Sequence, residues 1–262
     1  ANTRAADPFA AFRLGGNVAI VTGGARGIGR AAAEALAGAG AAIAILDRDA
    51  AAAAAAAGAI AAAGGSATVH LADVTDETAL GQALAAAEAQ HGGIDILVNS
   101  AGITLRHSAI DHPLGDWEKV VAVNLTGVFL CSRSAARAML RRGGGAIVNL
   151  ASIMGFSGGG LYPNVSYQAT KGAVVNLTRA LAVEWAKVGI RVNAVAPTWV
   201  RTELTASLLD RPGILERIAE LTPLGRLATA AEIAHAILYL ASPASAMVTG
   251  HTLAVDGGFL AQ

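Results

Sequence analysis

The chain has 262 residues, 54% of them apolar, and its 19 basic and 19 acidic side chains leave no formal net charge. That balance removes the electrostatic attraction that nucleic acid or an anionic membrane surface would exploit. The single cysteine, Cys131, excludes an internal disulfide and suits a reducing cytoplasm, and no run of about 18 uncharged apolar residues offers a membrane span.

Residues 1–13 read as a short arm without the apolar core of a signal peptide. From residue 14 to residue 262, short apolar runs alternate with longer segments compatible with helix. NVAIVT (17–22), AIAIL (42–46), ATVHLA (67–72), IDILVN (94–99), AIVNLA (146–151), IRVNAVA (190–196) and TLAV (252–255) read as seven strands. Helices are expected near 28–39, 50–62, 76–90, 116–141, 166–188 and 230–241. Apolar runs without polar alternation, separated by helices, indicate parallel strands covered on both faces. The rhythm has no break, linker or repeat, so it predicts one doubly wound α/β domain. The alanine run 50–57 is a strong helix former that packs closely on a sheet, and it carries no chemistry.

Chemistry concentrates at four places. The first strand runs into TGGARGIGR, where Gly23, Gly27 and Gly29 space a Gly-x-x-x-Gly-x-Gly turn, with Arg26 and Ile28 in the same loop. A pyrophosphate needs bare backbone close by and the free N–H groups of a helix N-terminus, which this strand–turn–helix supplies. Asp47 closes the second strand 18 residues after Gly29. Its carboxylate there can accept from both ribose hydroxyls and repel a 2′-phosphate, which favours NAD over NADP. Arg26 and Arg48 are the groups that could instead meet a phosphate. Further on, Tyr167 and Lys171 are four residues apart, about one helical turn, so their polar ends share a face.

Taken with Asp73–Val74, NSAG (99–102), Asn124 in VAVNLTG, Ser152 and APTWVRT (196–202), these motifs occur in an order that resembles the short-chain dehydrogenase/reductase family from about residue 14 onward. The resemblance implies a Rossmann-type sheet of seven parallel strands with helices on both faces. It implies that Asp73 and Val74 flank the adenine, and that Asn99, Ala101 and Gly102 line the cofactor channel. Pro197, Val200 and Thr202 would meet the nicotinamide. Ser152 would hold the substrate oxygen, Tyr167 would exchange its proton, Lys171 would grip the nicotinamide ribose, and Asn124 would hold a water of the proton relay. An ammonium about 5 Å from the phenol is expected to lower its pKa by about two units.

Two departures from the family pattern stand out. Thr198 follows Pro197 where the family has glycine, which puts a Cβ into the turn. The stretch between Ser152 and Tyr167 is a residue or two longer than expected, and the excess falls in GFSGGGLYPN. Met154, Tyr162, Trp199 and Leu204 are the expected substrate wall. The segment 203–221, cut by Arg211-Pro212-Gly213, is expected to form a lid of two short helices. The six histidines show no metal-ligand spacing; His107 reads as a surface or pocket-wall side chain, and Cys131 as a small core residue.

ASIMGF (151–156) and RTELTASLL (201–209) resemble sugar and polyol dehydrogenases, and the resemblance implies an NAD-dependent dehydrogenase of a small-molecule secondary alcohol of the polyol, sugar or sugar-acid type. The alternatives are a 3-oxoacyl-thioester reductase and a non-catalytic dinucleotide-binding protein. The family resemblance also implies a homotetramer.

Overall fold

The computed structural model describes residue 7, residues 9–159 and residues 161–262, so most of the expected arm and Gly160 lie outside the described residues. Seven strands alternate with helices: β1 (Val18–Thr22), β2 (Ala42–Asp47), β3 (Ser66–Leu71), β4 (Ile96–Asn99), β5 (Gly145–Leu150), β6 (Ile190–Pro197) and β7 (Thr252–Val255). They form one parallel sheet in the order β3-β2-β1-β4-β5-β6-β7. The strand order reverses between β1 and β4, and their C-terminal ends pair Thr22 with Asn99. In open sheets of this kind the crevice beyond such a reversal is where ligands bind.

The apolar runs are strands because both faces are covered. Ala19 and Val21 of β1 and Ile43 and Ile45 of β2 pack toward α1 (Gly27–Gly38), α2 (Ala50–Ala62) and the last long helix. Their neighbours Ile20, Ala44 and Leu46 face the other way, toward α3 (Glu77–His91) and two further helices. Alternation by residue therefore divides the core into two halves without any polar alternation in the sequence. In the alanine run, Ala53 and Ala56 are fully buried, so their small side chains let α2 lie close to the sheet.

The expected helix over 116–141 is divided. It consists of α4 (Leu114–Val121), a π-helical stretch over Ala122–Gly127 and α5 (Val128–Arg142). The wide turn holds Asn124 and Gly127, and at Gly127 an added Cβ would stand 2.8 Å from a Val74 methyl. Hydrophobic spacing does not register the extra residue of such a turn, although π turns are frequent at functional sites. Then follow α6 (Val165–Trp185), α7 (Glu203–Leu209), α8 (Ile214–Leu221) and α9 (Ala230–Ala241). The segment 203–221 is thus two short helices, as its sequence implies, and the break at Gly213 has φ +76°. Among the described residues no helix is long and apolar enough to cross a membrane.

Candidate active site

The turn from β1 into α1 builds one wall of a cleft at the C-terminal edge of the sheet. Gly27 has φ +52°, a conformation costly for any side chain, and an added Cβ at Gly29 would stand 2.1 Å from the Gly23 carbonyl oxygen. This close approach is why glycines occupy those positions. Helices α2 and α3 are capped by the carboxylates of Asp49 and Asp76, whereas Arg26 at the head of α1 makes no side-chain cap bond. The first turn of α1 therefore offers free N–H groups to an anion.

A cavity of about 420 Å³ runs from this turn to Ser152, Tyr167 and Lys171, with Pro197, Val200 and Thr202 on its far side. Arg26, Ile28, Ala101 and Gly102 also line it, as does Ser100, which the motifs did not single out. A second cavity of about 170 Å³ continues beyond Gly23 and is lined by Asp47, Arg48, Asp73 and Val74. The uncapped helix, the bare glycine backbone and the carboxylate at the end of the elongated cleft fit a dinucleotide. Asp47 is held by its own turn, accepting from the backbone N–H groups of Ala25 (3.2 Å) and Asp49 (3.1 Å). Both candidate phosphate-binding arginines have carboxylate neighbours: Arg26 bonds Asp49 at 2.5 Å and Arg48 lies 3.8 Å from Asp73.

Two expected site asparagines make buried contacts. Asn99 is buried below the cleft rather than lining it. Its amide donates to Ser132 (2.9 Å) and Asn149 (2.8 Å), and Asn149 donates on to Thr178, forming a polar strut between β4, β5, α5 and α6. Asn124 spends its amide on the backbone of Ile103, accepting from its N–H at 2.8 Å and donating to its carbonyl at 2.9 Å. Since Asn124 is fully buried, it holds the chain after β4 in place beneath Gly102.

Tyr167 and Lys171 share a face of α6, with the Lys171 ammonium 5.5 Å from the Tyr167 ring centre. The ammonium donates to the Leu150 carbonyl at 2.5 Å. Burial pushes Lys171 down from 10.5 to about 8. Burial also pushes the Tyr167 phenol up to about 12, while the adjacent Ser152 hydroxyl and, less strongly, Arg106 pull it down. The expected lowering of the tyrosine pKa by the lysine is therefore reversed, because desolvation of the phenolate outweighs the neighbouring donors and Lys171 points to a carbonyl instead.

A smaller cavity of about 50 Å³ opens from the same place. Ser152, Tyr167, Thr198 and Leu204 line both cavities, and Met154, Tyr162 and Trp199 close the small one. Trp199 is 5% exposed and stacks edge-on against Phe259 at 5.3 Å. Thr198 needs no unusual turn: among the described residues no side-chain-bearing residue has positive φ, and its N–H donates to the Val255 carbonyl at 3.2 Å. Thr104, Arg106 and Asn164 also line this cavity, and no motif pointed to them. His107 lies outside it, 3.0 Å from Asp116, and Cys131 is a buried free thiol among core residues.

The chain is similar to known proteins along nearly its whole length. A family model described as enoyl-(acyl carrier protein) reductase matches residues 23–260. The chain is 49% identical to a galactitol 2-dehydrogenase (L-tagatose-forming) of Cereibacter sphaeroides, over 95% of this chain and 96% of that one. A crystal structure of a short-chain type dehydrogenase/reductase from Mycobacterium marinum superposes with a TM-score of 0.93 at 40% identity, covering 96% and 98% of the two chains. A gluconate 5-dehydrogenase from Burkholderia cenocepacia, in complex with NADP and tartrate, gives 0.93 at 39% identity over 98% and 100%. With the glycine turn, the Tyr167–Lys171 face and matches across nearly its whole length, the protein is an enzyme of the short-chain dehydrogenase/reductase family.

Proposed function

We propose that residues 14–262 act as one dehydrogenase domain that interconverts a secondary alcohol of the polyol, sugar or sugar-acid class and its ketone, using NAD. One observation carries this reading: Ser152 and Tyr167 lie on the wall common to the long cleft and the small cavity, where a dinucleotide and a substrate would meet. The bound cofactor supplies the hydride acceptor for oxidation and the donor for reduction. Ser152 holds the substrate oxygen, and Tyr167 takes the carbinol proton in oxidation and returns it in reduction. Lys171 and the N–H groups of α1 hold the dinucleotide, with Asp47 on its adenosine ribose and Asp73 and Val74 about the adenine. Pro197, Val200 and Thr202 flank the nicotinamide end. The relatives named for galactitol and gluconate support the substrate class.

Asp47 supports NAD, since its carboxylate lies at the end of the cleft, Arg26 is bonded to Asp49, and Arg48 lies near Asp73. The solved gluconate 5-dehydrogenase carries NADP, so cofactor choice is the point to measure. Initial rates on alditols, aldonates and an acetoacetyl thioester with each cofactor are expected to favour NAD by at least about 100-fold in kcat/KM on an alcohol, or about 2.7 kcal/mol. Asp47→Ala should erode that ratio. An enzyme that prefers NADP, or that turns over only the thioester, would overturn this reading.

A further inference from the structure

The small cavity has one charged side chain among the residues lining it. Arg106 lies on the segment after β4 with its guanidinium 5.1 Å from the centre of the Tyr162 ring. Among the described residues its one hydrogen bond is a long one to the Leu204 carbonyl, at 3.4 Å, and its Nε is buried without a partner. Among the described residues no carboxylate lies within ion-pair reach of it. The guanidinium is half-buried over the Tyr162 ring face, which supports the cation without neutralising it, so its charge stays open to an anionic ligand.

Asn164 stands on the same wall, 4% exposed. It occupies the N-cap position of α6, where asparagine ordinarily accepts from the first turn, yet it makes no cap bond. Its Oδ1 accepts instead from the Thr104 hydroxyl at 3.0 Å, and among the described residues the Nδ2 hydrogens have no protein acceptor. Arg106 is therefore a donor only, and the unpaired part of Asn164 includes both Nδ2 donors. A neutral polyol would leave the guanidinium charge unmatched, and a phosphate dianion would exceed the single cation. A carboxylate matches it in charge and in planar geometry.

We propose that Arg106 and Asn164 form a carboxylate-reading subsite, so that the preferred substrate is a hydroxy acid whose acid group rests there while its carbinol meets Ser152 and Tyr167. This rests on the dehydrogenase reading above, and it narrows the substrate from alcohols in general to sugar acids.

The test uses matched pairs, gluconate and galactonate against the alditols of the same configuration. Calorimetric titration into the protein without cofactor, where no turnover intervenes, should give tighter binding for an aldonate than for its alditol. Arg106→Gln should weaken aldonate binding by roughly 10- to 100-fold while alditol binding and NAD affinity stay within about 3-fold; because Arg106 also pulls the Tyr167 phenol down, binding rather than kcat is the readout. Arg106→Lys, which keeps the charge, should restore part of the loss, and an unchanged melting temperature separates lost recognition from lost fold. Alditols that bind as tightly as aldonates, or a substitution that weakens both classes equally, would overturn the subsite. Failure of every alcohol to turn over would defeat the dehydrogenase reading while the binding preference stays readable.

Discussion

At the scale of single residues, the site is held under strain of charge rather than of backbone. Lys171 is 5% exposed, and its pKa is pushed from 10.5 to about 8, so at neutral pH it is a cation kept in a place that disfavours cations. A shift of that size corresponds to about 3 kcal/mol against the folded state. Its bond to the Leu150 carbonyl returns roughly 1 kcal/mol. Because the folded pKa lies below the unfolded one, the penalty is complete below pH 8 and fades as the pH rises toward 10.5. Lys171→Met is therefore expected to end turnover yet raise the melting temperature of the cofactor-free protein by about 2–6 °C at pH 7. The gain should shrink toward pH 10.5, and calorimetry showing a destabilised variant at pH 7 would contradict the argument. The sequence placed Tyr167 and Lys171 on one helix face because spacing alone decides that. It could not show that Lys171 points to a carbonyl or that Asn99 and Asn124 turn inward. The direction of a buried polar side chain depends on partners far away in the chain, such as Asn149 and Ile103.

At the scale of elements, we propose that α7 and α8 form a movable edge of the site. Leu208, Leu209 and Ile218 are buried against Ile153, Met154 and Trp199, while Leu204 at the start of α7 remains exposed beside both cavities. The pair is thus anchored by a few apolar side chains and broken at Arg211-Pro212-Gly213, the composition of a low-stability unit. Backbone amides of 203–221 are expected to exchange fastest among the helices without ligand and to gain protection when NAD and a substrate analogue bind together. Full protection before binding would make the segment a fixed wall. Its two helices were legible because apolar spacing stops at Pro212 and resumes after it. Arg106 and Asn164 were not, since the loops that carry them join the cavity only once β4 and α6 are packed.

At the scale of the whole molecule, the sheet was legible because a parallel strand covered on both faces leaves an unbroken apolar run, as in AIAIL and IDILVN. The outer surface carries a further signal. Phe129 and Leu140 on α5 and Val183 on α6 are exposed, Val183 at 82%, which is more apolar surface than a solitary α/β domain needs on two neighbouring helices. We propose that these helices pair between subunits in a tetramer, and sedimentation showing a stable monomer at micromolar concentration would refute it. The central claim remains chemical, that proton exchange at the Tyr167 oxygen drives hydride transfer. Its most direct test is the initial rate of nicotinamide reduction by Tyr167→Phe, on protein shown to be folded and to bind NAD like the parent. The account predicts a loss of at least about 100-fold, as expected when a positioned acid–base group is removed. A rate within tenfold of the parent would contradict it.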